Sequence, residues 1–236
     1  MVLALRLGFA ALAGVFATLH GVSANGDRSV EVVSATTTFG AVSGNVRVPN
    51  GAMRRDARLS PYSRQAYGPS RYQASSFSVE DVVVYVTTAS GQGSAASSPV
   101  IVDQVDLNIV KRVTPIPVGT SVNFPNSDDV FHNLFSLSEP KKFNLGRYAP
   151  GETRSVVFDR PGIVRLFCDI HSDMGGAILV LDSDRFARPS ADGSFTIDGL
   201  EPGRHQIVAW HDALGADTTE ILVREGEVAQ VVLTLQ

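Results

Sequence analysis

Short apolar runs, separated at close and even spacing by turn-forming residues, constrain the fold of this chain more than any other feature. Turn signals such as Ala149-Pro150-Gly151 and Arg160-Pro161-Gly162 divide the runs, and no segment keeps a long apolar period of 3.6 residues. This spacing is typical of a β-sandwich. We therefore predict an all-β chain, whose central strands lie near residues 105–110, 120–124, 133–137, 154–158, 163–168 and 177–181.

Further predicted strands lie on both sides of this central region. Residues 41–48 alternate between apolar and polar side chains, and the run Val82 to Val86 is typical of a buried strand. After the turn at Asp192-Gly193, more apolar runs follow at 195–197, 205–210, 220–223 and 228–235. These later runs predict a second small β-sandwich.

The stretch 49–76 has the composition of a loop. It carries five arginines and a single acidic residue, Asp56. We interpret it as a long basic surface loop, with a docking surface for an acidic partner as the alternative. Residues 90–98 are rich in Gly and Ser and indicate a flexible linker.

The first 24 residues have the pattern of a secretory signal peptide. Arg6 precedes the apolar run Leu7 to Leu19, and the residues around Ala24 suit cleavage after it. The run is shorter than the roughly 20 residues needed to span a bilayer. No later segment is long and apolar enough for a span. We expect a periplasmic or secreted protein with no membrane span after cleavage.

The net charge bears on the choice of partner. The whole chain carries 20 basic and 24 acidic residues, a net charge of −4. Cleavage after Ala24 removes Arg6 and no acid, which makes the mature protein slightly more acidic. Because nucleic-acid binding needs a basic surface, we expect no nucleic-acid partner.

The single cysteine, Cys168, begins a group of three potential metal donors. His171 and Met174 follow it at intervals of three residues, so one loop can direct a thiolate, an imidazole and a thioether at a single point. A further imidazole, His132, lies at the edge of a predicted strand upstream. Two histidines, a cysteine and a weak axial methionine are the ligands of blue-copper electron-transfer sites. Hard cations prefer oxygen ligands, and structural zinc sites lack the thioether.

These motifs resemble the plastocyanin and amicyanin branch of the cupredoxins. The resemblance lies in Gly119-Thr120-x-Val122-x-Phe124-x-Asn126, His132-Asn133, Tyr148-Ala149-Pro150-Gly151 and Cys168-x-x-His171-x-x-Met174. The two-residue gap before Met174 is similar to that of amicyanin. The resemblance implies one type 1 copper held by His132, Cys168, His171 and Met174.

The flanking segments resemble those of exported cupredoxin-containing proteins often labelled methylamine utilisation proteins. Residues 41–48 and 82–86 resemble the opening strands of a transthyretin-like domain of the carboxypeptidase-regulatory type, and 192–236 resemble its closing half. The resemblance implies a copper domain inserted into a second sandwich. The predicted organisation is signal peptide 1–24, early regulatory-like strands with the basic loop 28–96, cupredoxin domain 97–183 and closing strands 184–236.

The resemblance also implies roles for residues around the ligands. Asn133 is similar to the cupredoxin asparagine that ties the two ligand-bearing segments together. Phe131, Phe135 and Phe167 are expected to pack beneath the metal and keep it dry. His171 is expected at the surface, where Asp169, Asp173, Asp128 and Asp129 would steer a basic redox partner such as a c-type cytochrome.

Single-electron transfer without catalysis is the function that these features favour. A multicopper enzyme needs several more histidines, and only His205 and His211 remain once the signal peptide is removed and the two ligands are assigned. A copper carrier or sensor would use the same ligands. A third alternative is a binding module in which the copper site is accessory.

Overall fold

The computed structural model describes residues 38–48, 79–87 and 93–236. The predicted signal peptide and the basic loop 49–76 lie outside these residues. No helix within the described ranges is long and apolar enough to cross a bilayer.

Strands provide nearly all of the regular structure, which confirms the predicted all-β class. A single turn of 3-10 helix, Val79–Asp81, precedes the second strand. The strands are β1 Gly40–Arg47, β2 Val83–Thr87, β3 Val100–Ile101, β4 Gln104–Val105, β5 Asn108–Ile109, β6 Val113–Pro117, β7 Thr120–Pro125, β8 Leu134–Ser136, β9 Phe143–Asn144, β10 Thr153–Phe158, β11 Gly162–Cys168, β12 Gly175–Leu181, β13 Phe186–Ala187, β14 Ser194–Leu200, β15 Gly203–His211, β16 Gly215–Val223 and β17 Val228–Thr234.

The strands form four sheets and a small hairpin. Sheet 1 has the order β14-β1-β17, and sheet 2 has the order β13-β2-β15-β16. Sheet 3 has the order β6-β12-β11-β8-β9, and sheet 4 has the order β10-β7-β3. Strands β4 and β5 pair with each other as the hairpin. The early strands β1 and β2 thus share sheets with strands after residue 185, while the strands between residues 100 and 181 pair among themselves.

Three apolar clusters lie between the four sheets and pack them together. The first contains Val42 and Phe195 and lies between sheets 1 and 2. The second contains Phe124, Phe158 and Ile178 and lies between sheets 3 and 4. The third joins the two sandwiches, because it combines side chains of sheets 2 and 3: Val83, Val113, Ala177, Leu179, Leu181, Val208 and Trp210.

Strand β12 is buried on both faces. Ile178 and Val180 belong to the cluster between sheets 3 and 4, whereas Ala177, Leu179 and Leu181 belong to the cluster against sheet 2. Successive side chains point to opposite faces of a strand. A strand that packs against apolar clusters on both faces therefore needs an unbroken run of apolar residues. The sequence Ala177-Ile178-Leu179-Val180-Leu181 meets that requirement.

The short strands β3, β9 and β13 were not predicted, and two further segments differ from the prediction for a clear physical reason. Residues 105–110 were predicted as one strand, but the chain reverses there through Asp106 and Leu107, whose φ angles are 53° and 59°. Strand β6 was not predicted, because Pro115 and Pro117 are rare within strands. It pairs with β12 in parallel at the edge of sheet 3, a position where proline is tolerated.

Candidate metal centre

His132 is held at a fixed point between β7 and β8. Its main chain forms an isolated antiparallel bridge with Tyr148. The His132 amide donates to the Tyr148 carbonyl at 3.2 Å, and the Tyr148 amide donates back to the His132 carbonyl at 2.9 Å. The imidazole is 0% exposed. A fully buried ring whose main chain is paired has little freedom to leave its position.

The loop between β11 and β12 supplies the other donors. Cys168 is the last residue of β11, and Met174 directly precedes β12. The Cys168 amide donates to the Met174 carbonyl at 3.2 Å, and the Met174 amide donates to the His171 carbonyl at 3.1 Å. These bonds close the loop into a tight turn. Cys168 is buried, and His171, at the turn, is partly exposed.

Three donor atoms converge at this point. The Nδ1 atoms of His132 and His171 lie 3.1 Å apart. Cys168 Sγ lies 3.9 Å from Nδ1 of His132 and 3.8 Å from Nδ1 of His171. The circle through the three atoms has a radius of about 2.1 Å, and typical metal bonds are about 2.0–2.1 Å to imidazole nitrogen and about 2.3 Å to thiolate. The residues therefore fit a single metal ion.

The donor types indicate which metal suits the site. Met174 is 2% exposed and belongs to the same apolar cluster as Cys168. With the thioether of Met174 as the predicted fourth donor, a thiolate and two imidazoles suit copper, because soft sulfur ligands select Cu(I). Among the described residues, His132, Cys168 and His171 are the one group of three His, Cys, Asp or Glu side chains close enough to hold a metal.

Asp128 lies directly behind the His132 ring. Its Oδ2 atom is 2.6 Å from His132 Nε2, the ring nitrogen opposite the three-donor cluster. Its side chain is 10% exposed. Burial raises the pKa of Asp128, but hydrogen bonds from His132 and from the amides of Leu107 and Asp106 outweigh it and lower the pKa. The carboxylate is thus charged at neutral pH and fixed by three donors.

Asn126 and Gln104 organise the chain around His132, and sequence reasoning assigned them no role. Asn126 is 1% exposed, and its side-chain amide donates to the carbonyls of Val130 at 2.8 Å and Tyr148 at 3.3 Å. Gln104 is 0% exposed and donates to the Pro125 carbonyl at 2.8 Å and to the Tyr148 hydroxyl. The signal for Asn126 was its place in the Gly119-to-Asn126 motif, and the signal for Gln104 was a polar residue beside the apolar run Val100 to Val102.

Asn133 connects the two ligand-bearing segments through its main chain. The Asp169 amide donates to the Asn133 carbonyl at 3.3 Å. The side chain is buried, and its Oδ1 atom has no hydrogen-bond partner within the described part of the chain. The main-chain bond brings the residue after His132 against the residue after Cys168.

The phenylalanines lie elsewhere than expected. Phe131 is 55% exposed, since its neighbour His132 points inward. Phe167 and Phe135 are cross-strand neighbours with ring centroids 5.8 Å apart. Phe167 precedes the inward-facing Cys168 in β11, so it lies on the opposite face of sheet 3. The apolar surroundings of the thiol come instead from its own cluster, which includes Phe124, Leu134 and Phe158.

The four predicted docking residues fall into two groups. Asp129, Asp169 and Asp173 are exposed, whereas Asp128 is committed to His132. Asp169 also lies 3.9 Å from Arg147, a pair in which both side chains are solvent-accessible. Arg147 thus partly neutralises Asp169.

Two histidines of the described chain have lowered pKa values. Burial and the neighbouring His132 ring lower the pKa of His171, which favours a neutral imidazole. Burial also lowers the pKa of His211, whose Nδ1 accepts hydrogen bonds from the amides of Ala213 and Leu214. His211 and His205 belong to β15, and His205 Nε2 lies 2.7 Å from the Glu201 carbonyl.

Comparison with known proteins gives partial structural matches only. No family model and no curated protein matches the chain. The chain is similar to a copper-containing nitrite reductase from Thermus scotoductus SA-01 at 29% identity and a TM-score of 0.34, over 40% of this chain and 26% of that one. It is similar to a reduced amicyanin mutant at 20% identity and a TM-score of 0.33, over 41% of this chain and 98% of that one. An oxidised amicyanin mutant matches at 19% identity, the same TM-score and the same coverage. The chain thus spans about a quarter of the reductase, and the assignment of the metal centre rests on the geometry of its donors.

Proposed function

We propose that this protein is a single-electron carrier that binds one type 1 copper ion through His132, Cys168, His171 and Met174. The triangle formed by the two Nδ1 atoms and the thiol sulfur carries the proposal. Its dimensions suit one metal ion without rearrangement of the protein. A bound copper ion would supply a one-electron couple between Cu(I) and Cu(II).

The protein holds these donors in a largely apolar setting. His132 is 0% exposed, Met174 2% and Cys168 7%. The paired main chain around His132 and the closed turn from Cys168 to Met174 keep the donors in place. A rigid set of ligands needs little rearrangement when the charge of the site changes. This property favours electron transfer over a carrier that must release its metal.

His171 is the donor through which we propose that electrons enter and leave. It is the least buried of the three donors in the triangle. Asp169 and Asp173 are exposed close to His171 in sequence, and Asp129 is exposed three residues before His132. We propose that these carboxylates orient a basic redox partner such as a c-type cytochrome. The predicted signal peptide supports our proposal that the protein works in the periplasm or outside the cell.

The visible spectrum of the copper-loaded protein tests this proposal. We expect one Cu(II) per chain and an intense thiolate-to-copper absorption that Cys168→Ser abolishes. His171→Gln should also change the band, whereas His205→Gln, a matched change in the flanking sandwich, should leave it intact. An unchanged band in Cys168→Ser would refute the assignment of the ligand.

Two further measurements separate the alternative functions. Reversible voltammetry of the bound copper is expected for an electron carrier. Rapid loss of copper to a mild chelator would indicate a copper carrier or sensor instead. More than one tightly bound copper per chain would favour an enzyme.

A further inference from the structure

The two ring nitrogens of His132 have different partners. Nδ1 belongs to the three-donor triangle, and Nε2 lies 2.6 Å from Asp128 Oδ2. A neutral imidazole carries one proton, and a metal ligand must present its unprotonated nitrogen. A proton on Nε2, donated to the carboxylate, leaves the Nδ1 lone pair directed at the metal. The Asp128 contact therefore selects the form of His132 that can bind.

Asp128 is fixed by a turn that is itself unusual. Asp128 Oδ1 accepts a hydrogen bond from the Asp106 amide at 2.5 Å, and Oδ2 accepts one from the Leu107 amide at 3.1 Å. These two residues form the turn of the β4–β5 hairpin, and both have positive φ angles without being glycine. Such a backbone is costly and persists where its surroundings require it. Here it directs two consecutive amides at one carboxylate.

The base of the same hairpin is also tied to the His132 segment. Gln104, the first residue of β4, donates to the Tyr148 hydroxyl. Tyr148 pairs with the His132 main chain in both directions. The Gln104 carbonyl accepts from the Ser127 amide at 3.1 Å, next to Asp128. The hairpin therefore contacts the surroundings of His132 at its base and at its turn.

We propose that Asp128 is a positioning residue for the copper ligand His132, and that the β4–β5 hairpin holds its carboxylate in place. This inference rests on the proposed copper site. It assigns a role to Asp106, Leu107 and Gln104, none of which belongs to the donor set. Hydrogen-bond partners of this kind fix the orientation of a metal-bound histidine and its basicity.

The experiment compares Asp128→Ala with Asp129→Asn, which removes the same charge from the exposed neighbour. In the apo protein, nitrogen NMR of the His132 ring should report a proton on Nε2 for wild type and for Asp129→Asn. In Asp128→Ala the two tautomers should mix. Affinity for Cu(II) should fall about 10- to 100-fold in Asp128→Ala and stay unchanged in Asp129→Asn.

A second pair of variants tests the hairpin. Leu107→Gly keeps the amide donor and accepts the positive φ, so it should preserve copper affinity. Leu107→Pro removes the donor and cannot adopt that φ, so it should weaken copper binding. Protection of the Cys168 thiol in the apo protein shows whether each variant remains folded.

The outcomes distinguish this inference from the proposed function. If wild type binds no copper but the His132 tautomer depends on Asp128, the proposed function is refuted, and Asp128 sets the His132 tautomer without serving a copper site. The inference is overturned if wild type binds copper and folded Asp128→Ala keeps both the His132 tautomer and the copper affinity of wild type.

Discussion

Replacing Leu179 by alanine should destabilise both sandwiches together. Leu179 is 4% exposed and lies in the cluster between sheets 2 and 3. Truncation of a buried leucine costs about 2–5 kcal/mol. A cost of about 3 kcal/mol, with a urea dependence of roughly 3 kcal/mol per molar for a domain of this size, lowers the urea midpoint by about 1 M. Leu222→Ala is the matched control, because Leu222 is 53% exposed and its loss should change stability by less than about 0.5 kcal/mol.

The chain provides one reporter in each sandwich. Trp210, the single tryptophan, lies in sheet 2, and Cys168, the single cysteine, lies in sheet 3. Tryptophan fluorescence and thiol labelling in urea should give coincident transitions for the apo protein, and Leu179→Ala should shift both equally. Two separate transitions, or a shift confined to the thiol, would show that the shared cluster does not couple the sandwiches.

Three further predictions concern pH, backbone geometry and partner association. Because the folded-state pKa of His211 is lowered, the unfolded chain binds protons more readily. The contribution of His211 to the stability of the apo protein should be fully present above a pH of about 6.5 and should decrease as the pH falls below that value. His211→Asn should reduce that decline in thermal melts, and an unchanged pH profile would contradict the argument. Gly193 and Gly215 have φ angles of 84° and 82°, but an added Cβ would collide with the Val46 carbonyl at Gly193 and meet nothing within 4 Å at Gly215. Urea unfolding should therefore show a cost for Gly193→Ala that exceeds that for Gly215→Ala by about 1–3 kcal/mol. Reduction by a basic c-type cytochrome should slow as salt is added, and Asp169→Asn combined with Asp173→Asn should flatten that dependence in stopped-flow traces; equal salt dependence in both proteins would argue against electrostatic steering.

The sequence predicts the cluster of His132, Cys168 and His171 that the structure brings together, because two of its members lie on one short loop. Met174 lies on the same loop, and its role as a donor, like the identity of the metal, stays a prediction. The position of Phe131 could also have been derived, since it adjoins the inward-facing His132 and successive side chains point to opposite faces. The apolar character of the residue led to the expectation that it is buried.

The polar network behind His132 could not be predicted in the same way. It joins Asp106, Asp128 and Tyr148, which lie on three separate segments, through hydrogen bonds to main-chain groups. No sequence pattern marks such bonds. Asp128 in particular has the features of a solvent-exposed acid in a loop, and only the fold shows that it is committed to His132.

Strands on either side of residues 97–183 pair with one another. Strand β1 pairs with β14 and β17, and β2 pairs with β15, across the intervening residues 97–183. The insertion of a copper domain and its predicted boundaries stay predictions. The transthyretin-like identity of the flanking sandwich stays a prediction.

The two-sided burial of β12 limits how the molecule can be divided. A fragment trimmed to residues 97–183 would expose Ala177, Leu179 and Leu181 to water along one side of a sheet, together with Val113. Such a fragment would be prone to self-association, even with an intact donor set. Polar replacements at these positions would be needed before the smaller unit could be handled alone.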